Sequence, residues 1–355
     1  MARRPLHMRI LRWLRNVGLA AVALVILLMA VGATYEALAR HAVAKEFPPP
    51  GKLVDIGGRR LHLDCRGSGS PTVVFESGLD SIGSLSWASV HDSVAAVTRA
   101  CAYDRAGIMW SDPKRTPQSA AAIADDLQAA LRAAGEAGPL VLVGHSLGGP
   151  YIMTYTRKYP DQVAGLVFVD ASHPDQLQRL AAVGVPPPPL PAVLKLVSAL
   201  SWTGLVRLIP VEAPHHADER VQEIVRACAS TSFDAALAEG YALPQSLAAG
   251  GELRDLGNRP LVVLTAMAPL PQAALRALNL SASTGRRFRE VWKMLQDDEA
   301  SWSTRSRHEL FPEAGHYIQF DRPDAVIEAV TEVVNRVRED GRMLEGATPP
   351  LERPQ

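Results

Sequence analysis

The chain has 355 residues, 47% of them hydrophobic and 21% charged, with 37 basic side chains against 37 acidic ones. That is enough apolar material for one large domain or two ordinary ones, and unexceptional Gly (26), Pro (27) and Cys (3) counts exclude collagen-like, disordered and disulfide-dense classes. Zero net charge argues against a nucleic-acid binder but hides an asymmetry: residues 1–45 hold seven basic groups and one acid, Glu36, which leaves 30 basic and 36 acidic groups for the remainder.

From Val17 to Ala33 the chain carries no charged or strongly polar residue. As a helix this run reaches about 26 Å, close to the thickness of a bilayer's hydrocarbon layer. Five arginines precede it, and the positive-inside bias keeps them cytoplasmic. Residues 1–45 are therefore read as an uncleaved membrane anchor, with a signal peptide cut at Ala37-Leu38-Ala39 as the alternative. Either way the body is exported.

After the linker Pro48–Gly51, two strands meet at Gly57-Gly58 as a hairpin, the second being Arg60–Cys65. Thr72–Phe75 is a short apolar strand ending in Glu76-Ser77-Gly78-Leu79. Helical spacing over Trp87–Val97 leads into a strand at Ala100–Tyr103. Ser119–Ala134 is an Ala-rich helix with a cap at Ser119 and a stop at Gly135. Leu140–Val143 reads as a buried strand, Leu147–Tyr159 as a helix and Gln162–Val169 as the next strand. The strands Leu261–Thr265 and Arg307–Phe311 follow, accompanied by the helices Arg286–Leu295 and Pro323–Val337. Strands alternating with helices imply a mostly parallel sheet covered on both faces. The sheet domain comprises 46–170 and 259–340. The interval 171–258, which opens with the proline run Val185–Pro191 and is otherwise helix-like, is too long for a structureless loop and is read as an inserted helical cap. Residues 341–355 are polar and are read as a flexible tail.

Chemistry concentrates at Gly144-His145-Ser146-Leu147-Gly148, a G-x-S-x-G between a buried strand and a helix. A serine nucleophile has to project from a tight strand-to-helix turn, and small residues two positions either side let backbone approach it. The helix that follows aims its first N–H groups at a developing oxyanion, Leu147 N–H foremost. A hydroxyl of ordinary pKa also needs a base. Of ten histidines, His316 lies in a loop between the last strand and the last helix, at the sheet edge where Ser146 emerges. His215-His216 fall in the cap, and His145, beside the serine, points the other way along the turn. His173 follows the strand that ends at Asp170 and is a candidate pocket contact.

Val143–Gly149, Tyr103-Asp104-Arg105-Ala106-Gly107 and Gly315–Pro323 together resemble the alpha/beta hydrolase superfamily, from about residue 52 to 338 apart from the cap. The resemblance implies an eight-stranded, mostly parallel sheet in the order 1-2-4-3-5-6-7-8, a Ser–acid–His triad and a cap over the site. In that order Cys65 and Cys101 fall on neighbouring strands and become a plausible pair in an exported protein, three free thiols being the alternative. Ser77-Gly78 stands where relatives carry His-Gly, so Leu79 N–H is expected as the second oxyanion donor, with Glu76 and Ser77 adding polarity nearby. Gly107-Ile108-Met109-Trp110-Ser111 replaces the usual G-x-G-x-S and suggests a bulkier, apolar wall. No carboxylate occurs between Leu261 and Arg289, where most relatives place the acid, so Asp170 is read as the triad acid, with Asp297 or Asp298 competing.

The expectation is a membrane-anchored, extracytoplasmic serine hydrolase of carboxylic esters that needs no cofactor or metal, binds no nucleic acid and takes a small, hydrophobic acyl substrate. Ser146, His316 and Asp170 form the triad, Leu147 and Leu79 the oxyanion hole, and Gly78, His145 and His173 contact substrate. Amidase or peptidase, haloperoxidase-like and acyltransferase activities share these parts, and a non-catalytic ligand-binding module is the reading from another class.

Overall fold

The computed structural model describes residues 6–114, 116–187, 190–209 and 216–347. Eight strands form one sheet: β1 (Lys52–Asp55), β2 (Arg60–Arg66), β3 (Thr72–Glu76), β4 (Ala100–Tyr103), β5 (Leu140–His145), β6 (Val163–Val169), β7 (Leu261–Ala266) and β8 (Ser306–Phe311). Their order is β1-β2-β4-β3-β5-β6-β7-β8, as the family resemblance implies. β2 runs antiparallel to both its neighbours and the other pairings are parallel.

The helices are α1 (Leu6–Glu46), α2 (His91–Ala95), α3 (Ala120–Ala134), α4 (Gly148–Lys158), α5 (Gln176–Ala182), α6 (Val193–Ala199), α7 (Glu219–Tyr241), α8 (Leu243–Gly250), α9 (Gln272–Ala277), α10 (Ala282–Ala300), α11 (Ile318–Asp321) and α12 (Pro323–Ala347). Side-chain alternation along the central strands feeds two cores. Val73, Phe75, Val141, Val143, Val167 and Val169 pack on one face against the Val326, Val330, Val333, Val334 and Val337 stripe of α12. Val74, Leu140, Leu142, Leu166 and Phe168 face the other way, against α3 and α4. Both faces are buried, so these strands read as continuous apolar runs. α3 is bounded as its sequence predicts: Ser119 Oγ accepts from Ala122 N–H, and Gly135 closes the helix at φ +76°.

Several segments differ from the sequence reading. The stretch expected as one helix at Trp87–Val97 is a 3-10 turn at Gly83–Trp87 followed by the short α2. α12 runs on to Ala347, so residues 341–347 of the expected tail are helical; residues 348–355 lie outside the described residues, as do Pro188, Pro189 and His215. The chain forms two compact units, one of residues 6–48 and 191–209 and one of the rest. Pro191–Ile209 clusters with the N-terminal helix and not with the remainder of the 171–258 interval, with the Thr203 carbonyl against Gly32 and Arg207 paired with Glu36. The helix itself is longer than the apolar run, 41 residues, and none of its most apolar window is buried.

Cys65 and Cys101 are register partners on β2 and β4 and are joined by a disulfide; Cys228 is a buried free thiol. The bond closes a loop of 36 residues that contains β3. Chain-entropy arithmetic for such a loop gives about 4 kcal/mol. A Cys65→Ser/Cys101→Ser variant is expected to unfold at lower urea concentration by roughly that free energy with an ordinary two-state slope; an unchanged midpoint contradicts it.

Candidate active site

Ser146 sits between β5 and α4 at φ +51°, a left-handed conformation that costs a non-glycine residue strain and is held here by three backbone bonds. Its N–H donates to Val169 O (3.2 Å), and its carbonyl accepts from Gly149 N–H (3.0 Å) and Ser172 N–H (2.8 Å). The tightness of the turn explains the small residues around it. A Cβ on Gly144 would lie 2.8 Å from Gly148 C, and one on Gly148 would lie 2.4 Å from Glu76 O. Gly78 approaches from the opposite side: a Cβ there would fall 2.9 Å from Ser146 Cβ. The segment after β3 thus runs directly against the serine at Gly78, and Leu79 is the next residue in the chain. Leu147, buried, caps the start of α4.

Asp170 ends β6 at φ +45°, and its buried carboxylate is fully engaged. Oδ1 accepts from Ala266 N–H (2.9 Å) at the end of β7 and from the Trp292 indole N–H (2.8 Å) on α10. Oδ2 receives His316 Nδ1–H at 2.6 Å. A carboxylate can only accept, so this contact fixes the proton on Nδ1 and leaves the Nε2 lone pair available. The His316 ring is partly exposed, at 43%. Its loop is anchored by Gly315 N–H donating to Asp321 Oδ2 (2.7 Å), and Asp321 also pairs with His216 at 2.7 Å.

The competing acids are occupied elsewhere. Asp298 bonds His173 Nε2 (2.9 Å) and the Trp302 indole (3.2 Å), while Asp297 pairs with Lys293 (2.7 Å) and His308 (3.1 Å). Two expected pocket contacts are corrected by the same geometry. His173 is fully buried, with Nε2 on Asp298 and Nδ1 accepting from Asp175 N–H (3.0 Å), so it braces the turn after β6. His145 is also buried, and its Nε2–H donates to the His316 carbonyl at 2.9 Å. Its ring lies 4.7 Å from that of His316, between centroids. Burial first, and the neighbouring His316 second, hold its pKa well below the ordinary histidine value. His145 is thus a neutral prop beneath the His316 loop.

The polarity expected from Glu76 and Ser77 is absorbed internally. Arg105, buried after β4, donates to Glu76 Oε1 (2.7 Å), to the carbonyls of Ser77 (2.9 Å) and Gly78 (2.7 Å), and to both oxygens of Glu239 on α7 (2.8 and 2.7 Å). The Tyr103 hydroxyl donates to the other Glu76 oxygen. Burial pushes the Glu76 carboxyl up to about 7 against the opposing pull of Arg105. This cluster grips the backbone of residues 76–78 where it passes Ser146. The expected apolar wall is a packed loop: Met109 N–H donates to Ser232 Oγ (2.9 Å) on α7, and the Trp110 ring lies tilted against that of His62, 5.0 Å between centroids. A cleft of about 530 Å³ adjoins the end of β7, lined by Met267, Pro269, Leu270, Leu275 and Arg289.

Sequence reasoning did not identify Trp292, Glu239 or the clamping role of Arg105. Arg105 carries a signal, the Tyr103-Asp104-Arg105 motif; the other two lie on helices with nothing local to mark them.

The family described as the alpha/beta hydrolase fold matches residues 71–189, which include the Ser146 turn and Asp170. A probable transporter of Hormonema carpetanum is 37% identical over 128 residues, 34% of this chain and 18% of that protein. A vacuolar membrane protein of Saccharomyces cerevisiae is 33% identical over 137 residues, 34% of this chain and 21% of that protein. The chain therefore spans less than a quarter of the length of these curated relatives. A thermophilic esterase of Thermogutta terrifontis superposes with a TM-score of 0.56 at 20% identity, covering 81% of this chain and 98% of that one. Strand order, the strained serine turn and the matched segment agree, and the chain has the alpha/beta hydrolase fold.

Proposed function

We propose that the chain is a serine hydrolase of carboxylic esters. The observation that carries this reading is the 2.6 Å bond from His316 Nδ1 to a buried carboxylate that two further donors hold in place. An imidazole so fixed presents Nε2 as a general base, and Asp170 stabilises the imidazolium that forms when His316 takes the Ser146 proton. Ser146 Oγ attacks the acyl carbonyl, and the Leu147 and Leu79 N–H groups receive the developing oxyanion. His316 then protonates the departing alcohol, and a water activated by the same nitrogen cleaves the acyl-enzyme. An alcohol leaves more readily than an amine, which favours esters over amides. The mostly apolar cleft beside β7 supports a small hydrophobic acyl group.

The anchor belongs to the same proposal. α1 is long and apolar enough to cross a bilayer. The basic residues Arg9, Arg12 and Arg15 before its apolar run support an extracytoplasmic body, a compartment in which a Cys65–Cys101 disulfide persists. Retention of the helix is favoured over cleavage at Ala37–Ala39 because Gly32 and Glu36 make its contacts with residues 203–207.

A fluorophosphonate probe is expected to label the wild-type protein and not Ser146→Ala, as read by intact-mass spectrometry; equal labelling of both defeats the assignment. Asp170→Asn is expected to lower kcat on a short p-nitrophenyl ester by about 10⁴ with circular dichroism unchanged, whereas Asp298→Asn leaves kcat close to wild type. Arg105→Lys loosens the grip on residues 76–78 and is expected to lower kcat by about 10²–10³ with KM little changed, as loss of an oxyanion donor does. A rise in KM alone would make Arg105 part of the substrate pocket.

A further inference from the structure

The unit formed by α1 and residues 191–209 carries a feature that neither a lone anchor nor a cap requires. Pro191–Ile209 holds two basic residues, Lys195 and Arg207, and no acid. It folds as α6 and two 3-10 turns, Ser201–Thr203 and Leu205–Leu208. One face is fastened to α1. A Cβ on Gly32 would lie 2.5 Å from Thr203 O, so only glycine admits that backbone. One helical turn further on, Glu36, the sole acid of residues 1–45, is buried with Arg207 Nε donating to it at 2.5 Å and Arg40 Nε at 2.6 Å.

The other face is apolar and uncovered: Val193 (58% exposed), Leu196 (60%), Trp202 (47%) and Leu208 (79%) all project outward. Its height along α1 is fixed by the same contacts. Gly32 is the penultimate residue of the apolar run Val17–Ala33, and Glu36 lies about 6 Å beyond Gly32. Residues 202–208 therefore flank the end of the hydrocarbon-spanning stretch, within the interfacial layer, about 5–8 Å deep on each side of a bilayer. Tryptophan favours this layer.

We infer that residues 191–209 form a second membrane contact, a lipid-facing shelf that lies in the bilayer interface beside the spanning helix. The inference rests on the anchoring reading of α1. The occupant is the bilayer, because the exposed apolar side chains are held at the end of that helix's apolar run by the Gly32 approach and a buried ion pair. Glu36, a charge otherwise out of place so near a spanning segment, acts as the hinge pin of the shelf.

The test uses the full chain in phosphatidylcholine–phosphatidylglycerol vesicles, with an environment-sensitive fluorophore on Leu208→Cys and, for comparison, on Met343→Cys, which is exposed on α12; labelled wild type, with only the buried Cys228, supplies the baseline. Lipid nitroxides set ~5–10 Å below the headgroups are expected to quench the Leu208 label about twofold and leave the Met343 label unchanged. Co-flotation with vesicles but no quenching at Leu208 overturns the shelf and leaves the anchor standing. Failure to co-float overturns both. Self-quenching that grows with protein density, without nitroxide quenching, overturns the shelf in favour of contact between two copies.

Discussion

A buried carboxylate is tolerable only if its lone pairs are answered, and Asp170 is the point where that requirement organises the molecule. Its donors come from the end of β7, from α10 and from the loop after β8, three places distant in sequence. Each therefore has to be in position for the charge to be accommodated, and the sheet order β5-β6-β7-β8 brings them together at one edge. The orientation of His316 follows from this satisfaction of Asp170, and the prop supplied by His145 supports the same loop from below.

The opposite wall of the site is organised differently. There the chain has to bring backbone N–H groups past Ser146, and backbone cannot be oriented by its own side chain. Arg105 performs this task by gripping carbonyls, with the planar geometry of its donors matching two carboxylates and two peptide oxygens at once. Because Glu239 belongs to α7, the helical insertion is joined to the wall as well as covering ground above the sheet. Lysine, with three donors and no fork, cannot make this set of contacts.

What could be read beforehand follows from the range of the interactions. Strands such as Leu140–Val143, the Ser119 and Gly135 boundaries of α3, and the G-x-S-x-G turn are dictated by neighbours in sequence, and the fold follows from them. His316 stood out because its loop position was legible from the strand and helix around it. The partners of Asp170 and Asp298 were not, since Asp298 is taken up by His173, a contact 125 residues apart. The same blindness made His173 and His145 look like pocket residues, when their burial is a tertiary fact. Residues 191–209 read as part of a cap and cluster with α1, because an apolar, acid-free segment looks alike in sequence whether it packs on a sheet or on a long apolar helix. Gly32 and Glu36, one turn apart on α1, make its contacts with Thr203 and Arg207.

The cluster around Arg105 has one further property, which lies in its arithmetic of charge. Two carboxylates face a single guanidinium, so full ionisation leaves an excess electron's worth of field beside Gly78, next to the amide assigned to receive a negative oxygen. Burial, opposed by Arg105, pushes the Glu76 carboxyl upward, the direction that lessens this excess.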